Sequence, residues 1–140
     1  MIRLHRPLFV DAGAWIAISH PRDRHHTLAV AFHRHSTAQR RRLVTTNLVL
    51  AEAYVMVHRF GGYASAMAFL ATLRESNRLT KVYSTPALET EAESILRSYA
   101  DQDFSLTDAV SFALMRAQGI DEAFGFDNHF VTAGFSLSPR

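Results

Sequence analysis

The chain has 140 residues, 48% of them hydrophobic and 20% charged, which suits one soluble domain able to bury its own core. It contains no cysteine, which excludes a disulfide framework, a Cys-based zinc site and a thiol nucleophile. The net charge of +2 is unevenly divided, with eight Arg against Asp11 and Asp23 in residues 1–42 and an acidic excess in the remainder.

A basic front half suits a polyanion such as nucleic acid, and an acidic rear half suits cations. Arg3, His5, Arg6 and Pro7 precede an apolar run too short for a secretory signal. The apolar stretches also fall short of the roughly 20 residues that cross a bilayer. The expectation is therefore a cytoplasmic protein with no membrane partner.

Leu8-Phe9-Val10, ending at Asp11, reads as a buried strand that turns near Gly13 into a short helix through Ala14, Trp15, Ile16 and Ile18. His20-Pro21-Arg22-Asp23 breaks that helix. Leu28, Ala31, Phe32 and His35 then recur at helical spacing. Leu43-Val44-Thr45-Thr46 is a second, β-branched strand, and Thr46 or Asn47 caps a helix from Leu48 to about His58 that Gly61-Gly62 ends. Tyr63, Ala66, Met67, Leu70 and Leu73 mark one face of the next helix. Thr80 to Ser84 reads as a third strand, and Pro86 opens a helix with Leu88, Ala92, Ile95, Leu96 and Tyr99 on its apolar side.

After the polar loop Asp101 to Phe104, the stretch SLTDAVSFALMRAQGIDEAFGFDNHF begins. It reads as a helix start carrying Asp108, an amphipathic helix, a Gly turn, and a short apolar strand ending on Asp127. A helical turn from Asn128 to Thr132 leads to Phe135-Ser136-Leu137, an edge strand. Strands alternating with helices imply right-handed crossovers and a mainly parallel sheet covered on both faces. The expected fold is a single α/β domain over residues 1–140, a three-layer α/β/α sandwich.

Four acids have similar settings. Asp11 and Asp127 end strands, while Glu52 and Asp108 lie early in helices. Each has an ordinary explanation: Asp11 as a helix cap, Asp108 as part of a capping box with Ser105, Asp127 as a turn residue, and Glu52 on an exposed stripe or paired with an Arg. Glu52 stands out as the only charge between Leu48 and Val57. In a parallel sheet all four positions can fall at the carboxyl-terminal edge. Carboxylates converging there repel one another unless a cation intervenes, and hard oxygen ligands suit Mg²⁺ or Mn²⁺. Such a site can activate water and stabilise the charge of a phosphodiester displacement.

LFVDAGAWIA, TTNLVLAEAY, FSLTDAVSFALM and FGFDNHF, in this order and rough spacing, resemble the successive motifs of PIN domains, specifically VapC-like toxin ribonucleases. The resemblance covers nearly the whole chain. It implies an α/β/α fold and Mg²⁺- or Mn²⁺-dependent endoribonuclease cleavage of single-stranded RNA, leaving a 3′-hydroxyl and a 5′-phosphate. The family's acidic set carries over onto Asp11, Glu52, Asp108 and Asp127 as the catalytic and metal-binding residues. A cognate antitoxin of a type II toxin–antitoxin pair and homodimerisation are also implied.

The alternative is a PIN-like scaffold that binds RNA or a protein partner without cutting. A receiver-like domain would need a Lys at the site, with Lys81 the sole candidate, and a haloacid-type phosphatase lacks its second Asp after Asp11-Ala12-Gly13. Asp103 and His129 lie near the set and could assist it, as could the hydroxyls of Thr46, Ser105 and Thr107, which capping explains equally well. Arg22, Arg24, Arg34 and Arg40 to Arg42 are candidate phosphate contacts. Trp15, Phe32, Tyr54, Phe112 and Phe130 read as core or dimer-surface residues, and the histidines show no zinc spacing.

Overall fold

The computed structural model describes residues 6–140, so Arg3 and His5 of the basic front half lie outside the described residues. Eleven elements follow one another: β1 (Leu8–Val10), α1 (Ala12–Ser19), α2 (His26–Ala38), β2 (Leu43–Thr46), α3 (Asn47–Glu75), β3 (Leu79–Val82), α4 (Pro86–Ser98), α5 (Leu106–Gln118), β4 (Glu122–Phe124), α6 (His129–Thr132) and β5 (Ser136–Ser138). The five strands form one sheet in the order β3-β2-β1-β4-β5, and every neighbouring pair is parallel. The expectation of a mainly parallel sheet is thus met in full.

This strand order places β1 at the switch point, with β2 on one side and β4 on the other. Helices cover both faces. On one face Phe32 of α2 meets Phe124 of β4 edge-on at 4.8 Å, and Trp15 of α1 meets Phe69 of α3 at 6.2 Å. On the other face Phe9 of β1 packs on Phe130 of α6 at 6.0 Å, and Phe130 meets Phe112 of α5 at right angles. Parallel strands buried on both sides must be apolar throughout, and β1 is buried at each of its positions. Trp15 belongs to this core. Among the described residues its indole Nε1 has no hydrogen-bond partner.

The break expected at Gly61-Gly62 is present as a kink inside α3, where Gly62 has φ +82° and leaves helical geometry. Before it, Val49, Leu50, Ala53 and Val57 are buried at helical spacing. Three expected strand boundaries are corrected: β3 ends at Val82 and not at Ser84, β5 spans Ser136–Ser138 and not Phe135 to Leu137, and β4 differs most. β4 ends at Phe124, not at Asp127: the Gly125 amide makes a last bond to the Ser138 carbonyl, and the chain bends at Gly125 and Phe126.

Arg41 also differs from expectation. It is buried beside the amino-terminal edge of the sheet, where its guanidinium donates to Glu122 Oε1 at 2.8 Å and to the Arg6 carbonyl at 3.0 Å. Ser138 Oγ of β5 donates to the other Glu122 oxygen at 2.7 Å. Arg41 therefore ties strands together at the edge opposite the carboxyl ends, and is not a free phosphate contact. Arg78 has a comparable role, donating to the Arg41 carbonyl and to Thr37 Oγ1 at the end of α2.

Candidate active site

The carboxyl-terminal edge of the sheet opens into a cleft of roughly 610 Å³, lined by Asp11, Ala12, Gly13, Glu52, Asp108, Phe126, Asp127, Asn128 and His129. All four acids expected from the sequence line it. Asp11 follows β1, Glu52 lies in the second turn of α3, Asp108 in the first turn of α5, and Asp127 in the loop after β4. This is the crevice at the topological switch point, where neighbouring crossovers depart in opposite directions.

Asp11 precedes α1 in extended backbone, but its carboxylate makes no side-chain cap. Its amide is held by the Phe124 carbonyl at 3.0 Å, so β4 fixes its position. The side chain is only 8% exposed. Burial pushes its carboxyl up to about 7; the Ala12 backbone hydrogen bond acts against this, and the nearby Asp108, Asp127 and Glu52 add to it. Among the described residues Asp11 has no ion-pair partner.

The capping explanation of Asp108 is correct, and it is incomplete. Ser105 Oγ accepts from the Asp108 amide, and Asp108 Oδ2 accepts from the Ser105 amide, each at 3.0 Å. The same Oδ2 also lies 3.2 Å from His129 Nδ1. Asp127 Oδ1 accepts from the His129 amide at 2.9 Å, and its Oδ2 lies 3.4 Å from the imidazole Nδ1. Two carboxylates can only accept, so Nδ1 carries a proton and bridges them. The ring rests edge-on against Phe104 at 5.1 Å. One ligand atom from each of Asp108, Asp127 and His129 fits within 4.8 Å of the others.

Glu52 is exposed and borders the cleft from α3, so the stripe reading and the cleft reading both describe it. Asp103 is exposed and does not line the cleft. Thr46 and Ser105 serve as helix caps, accepting from Val49 and Asp108 amides. Lys81 stands over the Tyr83 ring on β3, away from the acids, which removes the receiver-like reading.

Residues 8–136 match the PIN domain family. The chain belongs to the PIN-domain family. Its relatives include the 23S rRNA-specific endonuclease VapC20 of Mycobacterium tuberculosis, from strains CDC 1551 and H37Rv. Each is 34% identical over 134 residues, spanning 91% of this chain and 95% of the relative. The crystal structure of M. tuberculosis VapC20, a sarcin–ricin loop cleaving toxin, aligns with a TM-score of 0.83 at 32% identity, covering 91% of this chain and 95% of that one.

The donor set of this PIN domain suits a hard divalent cation. It offers carboxylate oxygens from four separate parts of the chain, one of them buried with no ion-pair partner among the described residues. Sequence reasoning left the part of His129 open and passed over Phe126 and Gly125. Gly125 was visible as the one small residue in FGFD. An added Cβ there would come within 3.1 Å of Asp11 Cβ, so its lack of a side chain makes room for the first acid.

Proposed function

We propose that this PIN domain is a divalent-cation-dependent endoribonuclease, the toxin of a type II toxin–antitoxin pair. The observation that carries the reading is the convergence of Asp11, Glu52, Asp108 and Asp127 on one cleft, with Asp11 buried and in no ion pair among the described residues. Identity to 23S rRNA-specific endonucleases makes large-subunit ribosomal RNA the first substrate to test, with a single-stranded or looped segment as the reacting part. Asp11, Asp108, Asp127 and Glu52 would hold Mg²⁺ or Mn²⁺, with His129 orienting two of them. The cation supplies charge neutralisation and polarisation of the phosphodiester. A carboxylate oxygen of the set accepts the proton of the attacking water, and the break leaves a 3′-hydroxyl and a 5′-phosphate.

Association with a cognate antitoxin and with a second copy belongs to the same reading. Support for a protein partner is an apolar groove of roughly 840 Å³ between the two arms of α3 and β3, lined by Leu50, Tyr54, Val55, Leu70 and Leu73 among others. No described helix is long and apolar enough to cross a membrane.

The test is cleavage of ribosomal RNA by purified protein with and without Mg²⁺ or Mn²⁺. Asp11→Asn and Asp108→Asn should each abolish cation-stimulated cutting. Cleavage by both variants at the wild-type rate would refute the four-acid site. RNA binding without cutting, across both cations, would establish the scaffold alternative instead.

A further inference from the structure

An acidic cleft repels the backbone of the strand it is meant to cut, so the RNA needs cationic and stacking contacts beside the carboxylates. The loop between α1 and α2 is placed to give them. Its His25 ring lies flat on Phe126, with centroids 4.1 Å apart and planes 3° from parallel, and Phe126 itself lines the acidic cleft. Arg24 Nε donates to His25 Nε2 at 3.1 Å, which holds the imidazole in that plane. His26 Nδ1 is 2.7 Å from the Ala17 carbonyl, anchoring the start of α2 to α1. The loop's single acid, Asp23, is half-buried and accepts from the His25 amide at 2.8 Å. Arg22 and Arg24 are exposed, and neither has an acidic partner among the described residues. Arg41, by contrast, is committed to Glu122 at the far edge.

We propose that the Arg22–His25 loop and Phe126 form a nucleotide-binding lip of the cleft. An unpaired base stacks on the layered Phe126–His25 rings, and Arg22 and Arg24 grip the adjoining phosphate. This rests on the endoribonuclease reading and names the residues that seat its substrate. Every base has a π-face, so the stack itself tolerates sequence, while the lip requires that the nucleotide be unpaired. A looped or single-stranded segment satisfies that condition, and a continuous duplex does not.

The test measures binding of a fluorescein-labelled single-stranded oligoribonucleotide by anisotropy in an Asp11→Asn background, and KM and kcat for cleavable RNA in the otherwise native chain. His25→Ala should weaken binding by about 10-fold, and His25→Phe should restore it. Arg22→Ala with Arg24→Ala should lower the salt dependence of log Kd by about 0.7 per arginine removed. These changes should appear in KM, with kcat nearly constant. Arg116→Ala, which removes one charge on α5 away from the cleft, serves as the per-arginine control and should leave Kd unaltered. Equal losses from Arg116→Ala and the loop arginines, or an unchanged KM in His25→Ala while the native chain cuts RNA, would overturn the lip alone. A native chain that neither binds nor cuts RNA would overturn the nuclease reading and the lip together.

Discussion

Gly125 and Asp11 face each other across the switch point so closely that a Cβ on Gly125 would lie 3.1 Å from Asp11 Cβ and 3.6 Å from its Oδ2. Gly125→Ala must therefore displace the Asp11 side chain by a few tenths of an ångström. We expect kcat to fall by about 10-fold or more, since small misplacements of reacting groups are costly. Stability should fall by only about 1–2 kcal/mol. Comparing cleavage kinetics with thermal melts separates these effects. A variant with native kcat would show that Asp11 does not need its present position.

The buried Asp11 carboxyl gives the metal-free protein a pH dependence of definite sign. Its folded form holds a proton up to about 7, whereas the unfolded chain releases it near 3.8. Between those values the folded state binds the extra proton, so stability falls as pH rises and levels off above 7. A bound cation displaces that proton, so Mg²⁺ or Mn²⁺ should raise the melting temperature more at pH 8 than at pH 5. Asp11→Asn should melt higher than the native chain at pH 8 in EDTA and respond less to the cation. Melts at both pH values check each part.

His129 bridges Asp108 and Asp127 through one nitrogen, and its removal leaves each carboxylate held only by a backbone amide, from Ser105 and from residue 129. His129→Ala should weaken Mn²⁺ binding by about 10-fold, the usual scale for partners that orient metal ligands. Isothermal titration calorimetry provides the measurement. Unchanged affinity would reduce the imidazole to a packing role against Phe104.

At the opposite edge of the sheet, the Arg41–Glu122 pair should matter for stability and not for chemistry. Burial pushes the Glu122 carboxyl up, but hydrogen bonds from Arg41 and Ser138 outweigh it and hold the group below its ordinary value. Its stabilising effect is thus present at neutral pH and is lost as pH falls through the acid range. Arg41→Met should cost about 2 kcal/mol by leaving the half-buried Glu122 without its charge partner, and the Arg41→Met, Glu122→Met pair should cost less. Urea titrations of the single and double variants test this, and kcat of the folded double variant should match the native value.

Much of the fold was legible because the central strands are short, buried, apolar or β-branched runs bounded by polar residues. Leu8–Val10 and Leu43–Thr46 are of this kind. The end of β4 was misplaced because Phe126 continues the apolar pattern after the chain has left the ladder. Its carboxylate neighbours were legible by position, each at a strand end or an early helical turn. What those positions could not reveal is pairing across distance. Arg41 finds Glu122 81 residues away, and His129 finds Asp108 21 residues back. Nothing in the local pattern around Arg40-Arg41-Arg42 distinguishes the arginine that goes inside from its exposed neighbours. The flat contact of His25 on Phe126 is of the same type, formed only once α1 and β4 are in place.

The proposed carboxylate set is spread along the chain, with Asp11 arriving at the first strand and Asp127 only after the fourth. The turn that brings Asp127 round is itself secured late, because the Gly125 amide is held by the Ser138 carbonyl of β5. A growing polypeptide therefore cannot complete the proposed site before β5 has been made.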